Sequence, residues 1–173
     1  MRLFHHRQRI GVGCSKLPLT AVEVRDAPLG GALAAELIGR LNAELDQRYT
    51  EPGANHFRLD PDEVKDGRGA FVIAFAGEEA LGCGAVRMND AVTGEIKRMY
   101  VDPRARGRGV GHAILQALEA RARALGATRL VLETGARQPE ADALYRRAGF
   151  VDIPRFGEYL DSPLSVCMGK DLA

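Results

Sequence analysis

Apolar and polar positions change their period several times along this chain, and each change marks an element. Val22 and Val24 alternate with polar neighbours, a period of two that predicts a short first strand. Leu33, Leu37, Leu41 and Leu45 then recur every four residues with Ile38 alongside, which predicts an amphipathic helix from about Leu29 to Tyr49. Asp26, just ahead of Pro28, is the candidate N-cap of that helix. Thr50 to Asn55 is a polar loop, and Asp60-Pro61-Asp62-Glu63 has the spacing of a capping box, predicting one or two further helical turns.

From Ala70 to Val101 the apolar residues fall into three short runs, Phe71 to Ala76, Ala80 to Met88 and Glu95 to Val101. Turn signals at Gly77-Glu78-Glu79 and Asn89-Asp90 separate them, so three antiparallel strands are predicted. The helical period returns at Val110, Ala113, Ile114, Ala117, Leu118 and Leu125, closed by Gly126. Arg129-Leu130-Val131-Leu132 predicts a buried strand. A helix is expected from near Pro139 to Gly149 with Ala143 and Leu144 inward, followed by strands at Phe150-Val151 and Leu164 to Met168. No repeat or linker divides the order β-α-(α)-β-β-β-α-β-α-β-β, so all elements must share one core. The fold class expected is α/β of the α+β type: one domain with a mixed, mostly antiparallel sheet of about seven strands and helices on both faces.

Composition narrows the function classes. The 173 residues, 46% of them hydrophobic, are enough for one core without staples. No apolar run approaches the roughly 20 residues that span a bilayer, so no membrane partner is expected. A formal net charge of +1 gives too weak a field for a nucleic-acid partner and favours a small-molecule site. Cys14, Cys83 and Cys167 lack the spacing of zinc or redox sites, so no metal is expected and a reducing, cytoplasmic setting follows. Residues 1–19 are basic and free of acids, a leader expected to be poorly ordered ahead of the domain at 20–173.

The chemistry concentrates in Val101-Asp102-Pro103-Arg104-Ala105-Arg106-Gly107-Arg108-Gly109-Val110-Gly111, which joins a strand to a helix. Glycines at 107, 109 and 111 clear side chains from the backbone at a helix start, where free N–H groups and the dipole favour phosphate. Lys97, Arg98, Arg104, Arg106 and Arg108 against Asp102 add a formal +4 to the same window. Taken alone, a GxGxG turn with solvated arginines explains these residues as well as a phosphate site does. A dinucleotide-binding reading, with Glu133 as its acidic residue, fails on the GxGxG spacing and on the chain left for a doubly wound sheet.

Arg106-x-x-Gly109-x-Gly111, preceded by Met99-Tyr100-Val101-Asp102-Pro103, resembles the Q/R-x-x-G-x-G/A motif of the GNAT acetyltransferases. Ala143-Leu144-Tyr145-Arg146-Arg147-Ala148-Gly149-Phe150 resembles the same family's A-x-L-Y-x-x-x-G-F segment, and about residues 20 to 172 fit its plan. The resemblance implies an N-acetyltransferase (EC 2.3.1.-) with acetyl-CoA as acyl donor. Its pyrophosphate would lie on Arg106, Gly107, Arg108, Gly109, Val110, Gly111 and His112, and its pantetheine arm along Met99, Tyr100 and Val101. Gln138 stands near where many members carry an asparagine that helps hold the cofactor.

For catalysis the resemblance implies the Val101 N–H as the oxyanion donor and Tyr145 as the acid for the departing thiolate. Glu95, eleven residues ahead of Arg106, occupies the position of the catalytic glutamate in the family's histone-acetyltransferase branch. His56 is the alternative base, because an unperturbed imidazole already titrates near neutrality. The acceptor, a small-molecule primary amine by preference, is expected against Glu44, Tyr49, Glu51 and His56 and against Glu158, Tyr159 and Asp161. Cys83 and Cys167 sit in apolar runs as small hydrophobes, so direct transfer in a ternary complex is expected. A protein or peptide acceptor, and a non-catalytic CoA-binding regulatory module, stay open as alternatives. Homodimers are common in the resembled family.

Overall fold

The computed structural model describes residues 21–52 and 58–173; the leader and His56 lie outside them. Seven strands form one sheet in the order β1-β2-β3-β4-β5-β7-β6. In chain order these are β1 (Val22–Asp26), α1 (Ala32–Arg48), β2 (Gly69–Ala76), β3 (Glu79–Met88), β4 (Thr93–Val101), α2 (Val110–Ala124), β5 (Arg129–Gly135), α3 (Pro139–Arg147), β6 (Val151–Asp152) and β7 (Ser165–Asp171). Every pairing is antiparallel except β4 with β5, the pair joined through α2. Parallel neighbours need such a crossover. The mixed sheet and its element order match the expectation from apolar periodicity.

Alternation along the strands builds two cores. Phe71 and Ile73 of β2, with Cys83, Ala85 and Tyr100, pack under Ala34, Leu37 and Leu41 of α1. Val72 and Ala74, the intervening residues, meet Val86, Ile96 and the α2 residues Ile114, Leu115, Leu118 and Ala122 on the opposite face. Tyr145 of α3 and Phe150 join this second core.

The capping box is present: Glu63 accepts the Asp60 N–H at 2.8 Å and starts a 3-10 turn, Pro61–Val64. The Asp26 cap is not. Pairing with Val72 carries β1 through Asp26, whose carboxylate takes the Arg121 side chain at 2.6 Å instead. Gly31 is the N-cap of α1, without a side-chain bond, and the helix starts three residues later than Leu29.

Two irregularities shape the middle of the sheet. The β4–β5 ladder covers only Thr93–Ile96 against Arg129–Leu132, although β4 continues to Val101 and β5 to Gly135. The strands therefore part beyond Ile96 and Leu132, leaving facing backbone edges without a strand between them. On its other side β4 carries one extra residue, since Cys83 faces Tyr100 while Ala85 faces Lys97. Arg98 in this bulge has φ 55°, the single positive φ among the described non-glycine residues.

Candidate active site

A cavity of about 990 Å³ opens where β4 and β5 part. Its walls come from the ends of both strands, the loop into α2, the last turns of α1 and the inner face of α3. Met99, Tyr100, Val101, Arg106, Gly107, Gly109, Val110, Gly111, His112, Gln138, Tyr145, Tyr49 and Tyr159 all line it, so one space gathers most of the residues expected from sequence. Arg108 and Glu95 do not line it.

The loop is fastened at its start by Asp102, a buried carboxylate that accepts the Arg104 N–H at 2.9 Å and Arg40 of α1 at 3.1 Å. Gly107 and Gly109 have φ of 72° and 82°, the left-handed region, and a β-carbon at either would meet nothing. Conformation, not crowding, requires glycine there. At Gly111 a β-carbon would stand 3.1 Å from the end of the Leu144 side chain, so α2 and α3 pack closely there and a larger residue would have to push Leu144 aside. The amides of Gly107, Gly109, Val110, Gly111 and His112 donate to no backbone carbonyl among the described residues. They form the unsatisfied positive end of α2, suited to an anion.

The formal +4 of this window is not free charge. Arg104 bonds Asp102 and Glu79, Arg106 pairs with Glu44 at 2.5 Å and donates to the Val101 carbonyl at 3.0 Å, and Lys97 pairs with Glu158 at 2.6 Å. Acids distant in sequence supply the balance, which no local charge count reveals.

Tyr145 is 5% exposed, with Phe150 edge-on at 5.9 Å, and its hydroxyl bonds no described residue. Burial, helped by the charge of Glu133, raises its pKa well above that of an ordinary phenol, so it stays protonated. Glu133 is the residue missed as a site candidate. It lines the cavity from β5 just past the parting of the strands, with Ser165 donating to it at 2.5 Å. Burial pushes its carboxyl pKa up, as do Glu95 and Glu158, against the Ser165 hydrogen bond and Lys97. The available signal was period two along β5: Glu133 shares a face with Val131, the register partner of Glu95.

Glu95 has other work. It is 1% exposed, accepts Arg87 at 2.9 and 3.1 Å through one oxygen and the Tyr159 hydroxyl at 2.6 Å through the other. Arg87 reaches on to Glu63 of the capping turn, so the cluster ties β3, β4, that turn and the segment before β7 together. Both oxygens of Glu95 are thus engaged within this cluster, and its side chain is off the cavity wall.

Other acids named for the acceptor side are also engaged: Glu44 with Arg48 and Arg106, Glu51 with Arg137, Glu158 with Lys97. Asp161 is exposed and off the cavity. The Tyr49 hydroxyl accepts the Arg137 N–H at 2.9 Å. Cys83 is buried with its thiol pushed up to about 12, and burial also raises Cys167, which disfavours the thiolate form of both. Among the described residues no group of His, Cys, Asp or Glu is arranged to hold a metal ion, and no helix is long and apolar enough to cross a membrane.

Known proteins share this architecture. The model of the acetyltransferase (GNAT) family matches residues 35–150. An IAA acetyltransferase from Azospirillum brasilense is 38% identical over 149 residues, covering 86% of this chain and 95% of the relative. A crystal structure from Klebsiella pneumoniae assigned as an acyl-CoA N-acyltransferase superposes with a TM-score of 0.75 at 34% identity, over 89% of this chain and 99% of its own. A GNAT acetyltransferase from Elizabethkingia anophelis, solved with acetyl-CoA bound, shares the fold at a TM-score of 0.62 and 18% identity, over 87% and 98% of the two chains.

Proposed function

This chain belongs to the GNAT acetyltransferase family, and on that footing we propose that it moves an acetyl group from acetyl-CoA to the primary amine of a small molecule, directly and within a ternary complex. One observation carries the reading: a single cavity is lined by the amide-rich glycine loop and also by Glu133 and Tyr145, a raised carboxyl and a buried phenol.

Acetyl-CoA, when bound, supplies a thioester whose carbonyl is open to attack. The loop amides from Gly107 to His112 hold its phosphates, with Arg106 and Gln138 beside them. Met99, Tyr100 and Val101 offer the β4 edge that β5 leaves unpaired as a partner for an extended arm. The Val101 N–H faces the carbonyl oxygen, where negative charge grows. Glu133 takes the proton from the acceptor ammonium; burial raises its carboxyl pKa, the direction that makes it a stronger base. Tyr145 keeps its proton until the sulfur departs and donates it then, and the second proton lost by the acylated nitrogen restores the phenol, so the amide, the free thiol and the one proton on Glu133 account for the ammonium and the thioester. Tyr49 and Tyr159 form acceptor walls, the latter fixed by Glu95.

The test is release of free thiol from acetyl-CoA across a panel of amines, with acetyl-CoA affinity measured in parallel. Glu133→Gln should lower kcat by roughly 10²–10⁴-fold, the usual contribution of a positioned base, with a smaller defect at high pH where the acceptor amine is already neutral. Acetyl-CoA binding without turnover of any amine would overturn the proposal.

A further inference from the structure

One segment serves both Glu95 and Glu133. From Tyr159 to Ser165 the chain runs as consecutive turns, in which the Ser162 N–H donates to the Tyr159 carbonyl at 3.1 Å and the Ser165 N–H to the Ser162 carbonyl at 3.2 Å. The first residue of this segment gives its hydroxyl to Glu95 at 2.6 Å, and the last gives one to Glu133 at 2.5 Å. Register explains the second contact. β7 pairs Cys167 with Glu133 and Ser165 with Gly135, so Ser165 is the diagonal neighbour of Glu133 on the same face of the sheet. Ser165 is 6% exposed, and both it and Ser162 line the cavity.

A hydroxyl has one proton, and the Ser165 oxygen has two neighbours, Glu133 Oε1 at 2.5 Å and the Ser162 hydroxyl at 2.8 Å. The carboxylate is the stronger acceptor, so Ser165 gives its proton to Oε1 and accepts a hydrogen bond from Ser162. Oε2 of Glu133 has no hydrogen-bond partner among the described residues, whereas Glu95 is held on both oxygens. Around Glu133 stand Lys97, whose charge favours the ionised carboxylate, and Glu95 and Glu158, whose charges oppose it. The Tyr145 phenol and the Cys167 thiol, both with raised pKa, complete the set. The Ser165 hydrogen bond favours the ionised form against the burial that disfavours it.

We infer that Ser165 is a positioning residue of the transfer reaction: it holds Oε1 of Glu133, leaving Oε2 as the oxygen that takes the acceptor's proton, and Ser162 fixes the direction of the Ser165 hydroxyl. A carboxylate without such a hold turns about its last side-chain torsions, and a base is effective only while it stays within hydrogen-bond reach of the nitrogen. This rests on the reading of Glu133 as the base and adds the residues that hold it.

The test reads Glu133 directly and then through the rate. In protein isotope-labelled at the glutamate side-chain carboxyls, the NMR resonance that disappears in Glu133→Gln follows the titration of this carboxyl. Its midpoint should rise by about one pH unit in Ser165→Ala, because the lost hydrogen bond favoured the charged form. Ser165→Thr, which keeps the hydroxyl, should retain the parent midpoint, and Ser162→Ala should raise it by less than Ser165→Ala does. With acetyl-CoA and the panel amine turned over fastest, the acid limb of kcat should move to higher pH in Ser165→Ala; the amine is the same in both proteins, so the difference belongs to the protein. In the Glu133→Gln background the same substitution should cost less than about twofold, since no base is left to hold. An unchanged midpoint in folded Ser165→Ala overturns the inference, as does an unchanged midpoint in Ser162→Ala should Ser165→Ala not fold. Losses that multiply in the double variant overturn it too, while the base reading stands. Parent-like turnover by Glu133→Gln overturns the base reading itself, and the positioning role with it.

Discussion

Adding one methyl group at Gly135 should unseat a wall of the cavity. A β-carbon built there would lie 1.8 Å from the Tyr49 hydroxyl oxygen, 2.4 Å from its Cζ and 3.1 Å from the Gln138 side-chain nitrogen. The backbone of Gly135 does not have positive φ, so an alanine fits locally and only the contact is at fault. β5 cannot yield easily, because its ladder with β7 runs from Arg129 to Gly135 itself. The ring must move instead. Tyr49 is buried at the end of α1, its hydroxyl accepts the Arg137 N–H at 2.9 Å, and the Arg137 guanidinium lies 5.4 Å from the ring centre.

Displacing the ring leaves that amide without its partner, about 1–3 kcal/mol, and uncovers part of a side chain whose full burial is worth a few kcal/mol more. A net cost of roughly 2–4 kcal/mol follows, which for a domain of this size lowers Tm by roughly 5–15 °C. Thermal melts of Gly135→Ala, Tyr49→Ala and the double variant test the cause. The alanine should cost less than about half as much once the tyrosine is gone. A Tm within about 2 °C of the parent, or additive losses in the double variant, would refute the steric argument.

Three further outcomes follow from the site. Tyr145→Phe should lower kcat by about 10–100-fold with acetyl-CoA affinity nearly unchanged, since only the departing sulfur needs the hydroxyl; an unaltered kcat removes Tyr145 from the chemistry. Glu95→Gln should act on stability first, by about 2–4 kcal/mol in denaturant melts, because Arg87 loses a buried counter-ion. A folded, stable Glu95→Gln protein that is inactive would return the base role to Glu95. The Arg104 hydrogen bonds and the Arg40 charge hold the Asp102 carboxyl below the usual aspartate range. Its stabilisation is therefore full above the unfolded pKa of about 3.9 and is lost as pH falls through the lower folded value. The stability gap between the parent and Asp102→Asn should close in that acid window, and a gap constant down to about pH 2 would contradict it.

The strands, both long helices and the glycine loop were legible because each rests on local signals, apolar period or turn chemistry. The loop's glycines in particular are demanded by backbone geometry at 107 and 109, which sequence can announce. Asp26 misled because a side chain able to cap a helix is equally able to end a strand, and pairing with Val72 decided the matter. Charge was the least legible property. The arginines at 104 and 106 look like a basic patch until Glu79 and Glu44 arrive from 25 and 62 residues away. The bulge at Arg98 left no trace at all, since arginine is not a residue that advertises a left-handed backbone.

Glu95 and Glu133 show why residue type alone does not say which carboxylate reaches the cavity. Glu95 pairs in register with Val131, so Glu133, two residues further along β5, faces the same side of the sheet. The last paired residues are Ile96 and Leu132. Glu95 lies before that point, closed in by neighbouring strands, and a charge so enclosed needs Arg87 and Tyr159 to persist. Glu133 lies one residue beyond it, where the strands have parted and the cavity begins. The same side chain on the same face is thus a structural anchor on one side of the divergence and reaches the cavity on the other. Lengthening the ladder by two residues would enclose Glu133 as Glu95 is enclosed. Strand register, a long-range property, is what separates the two environments.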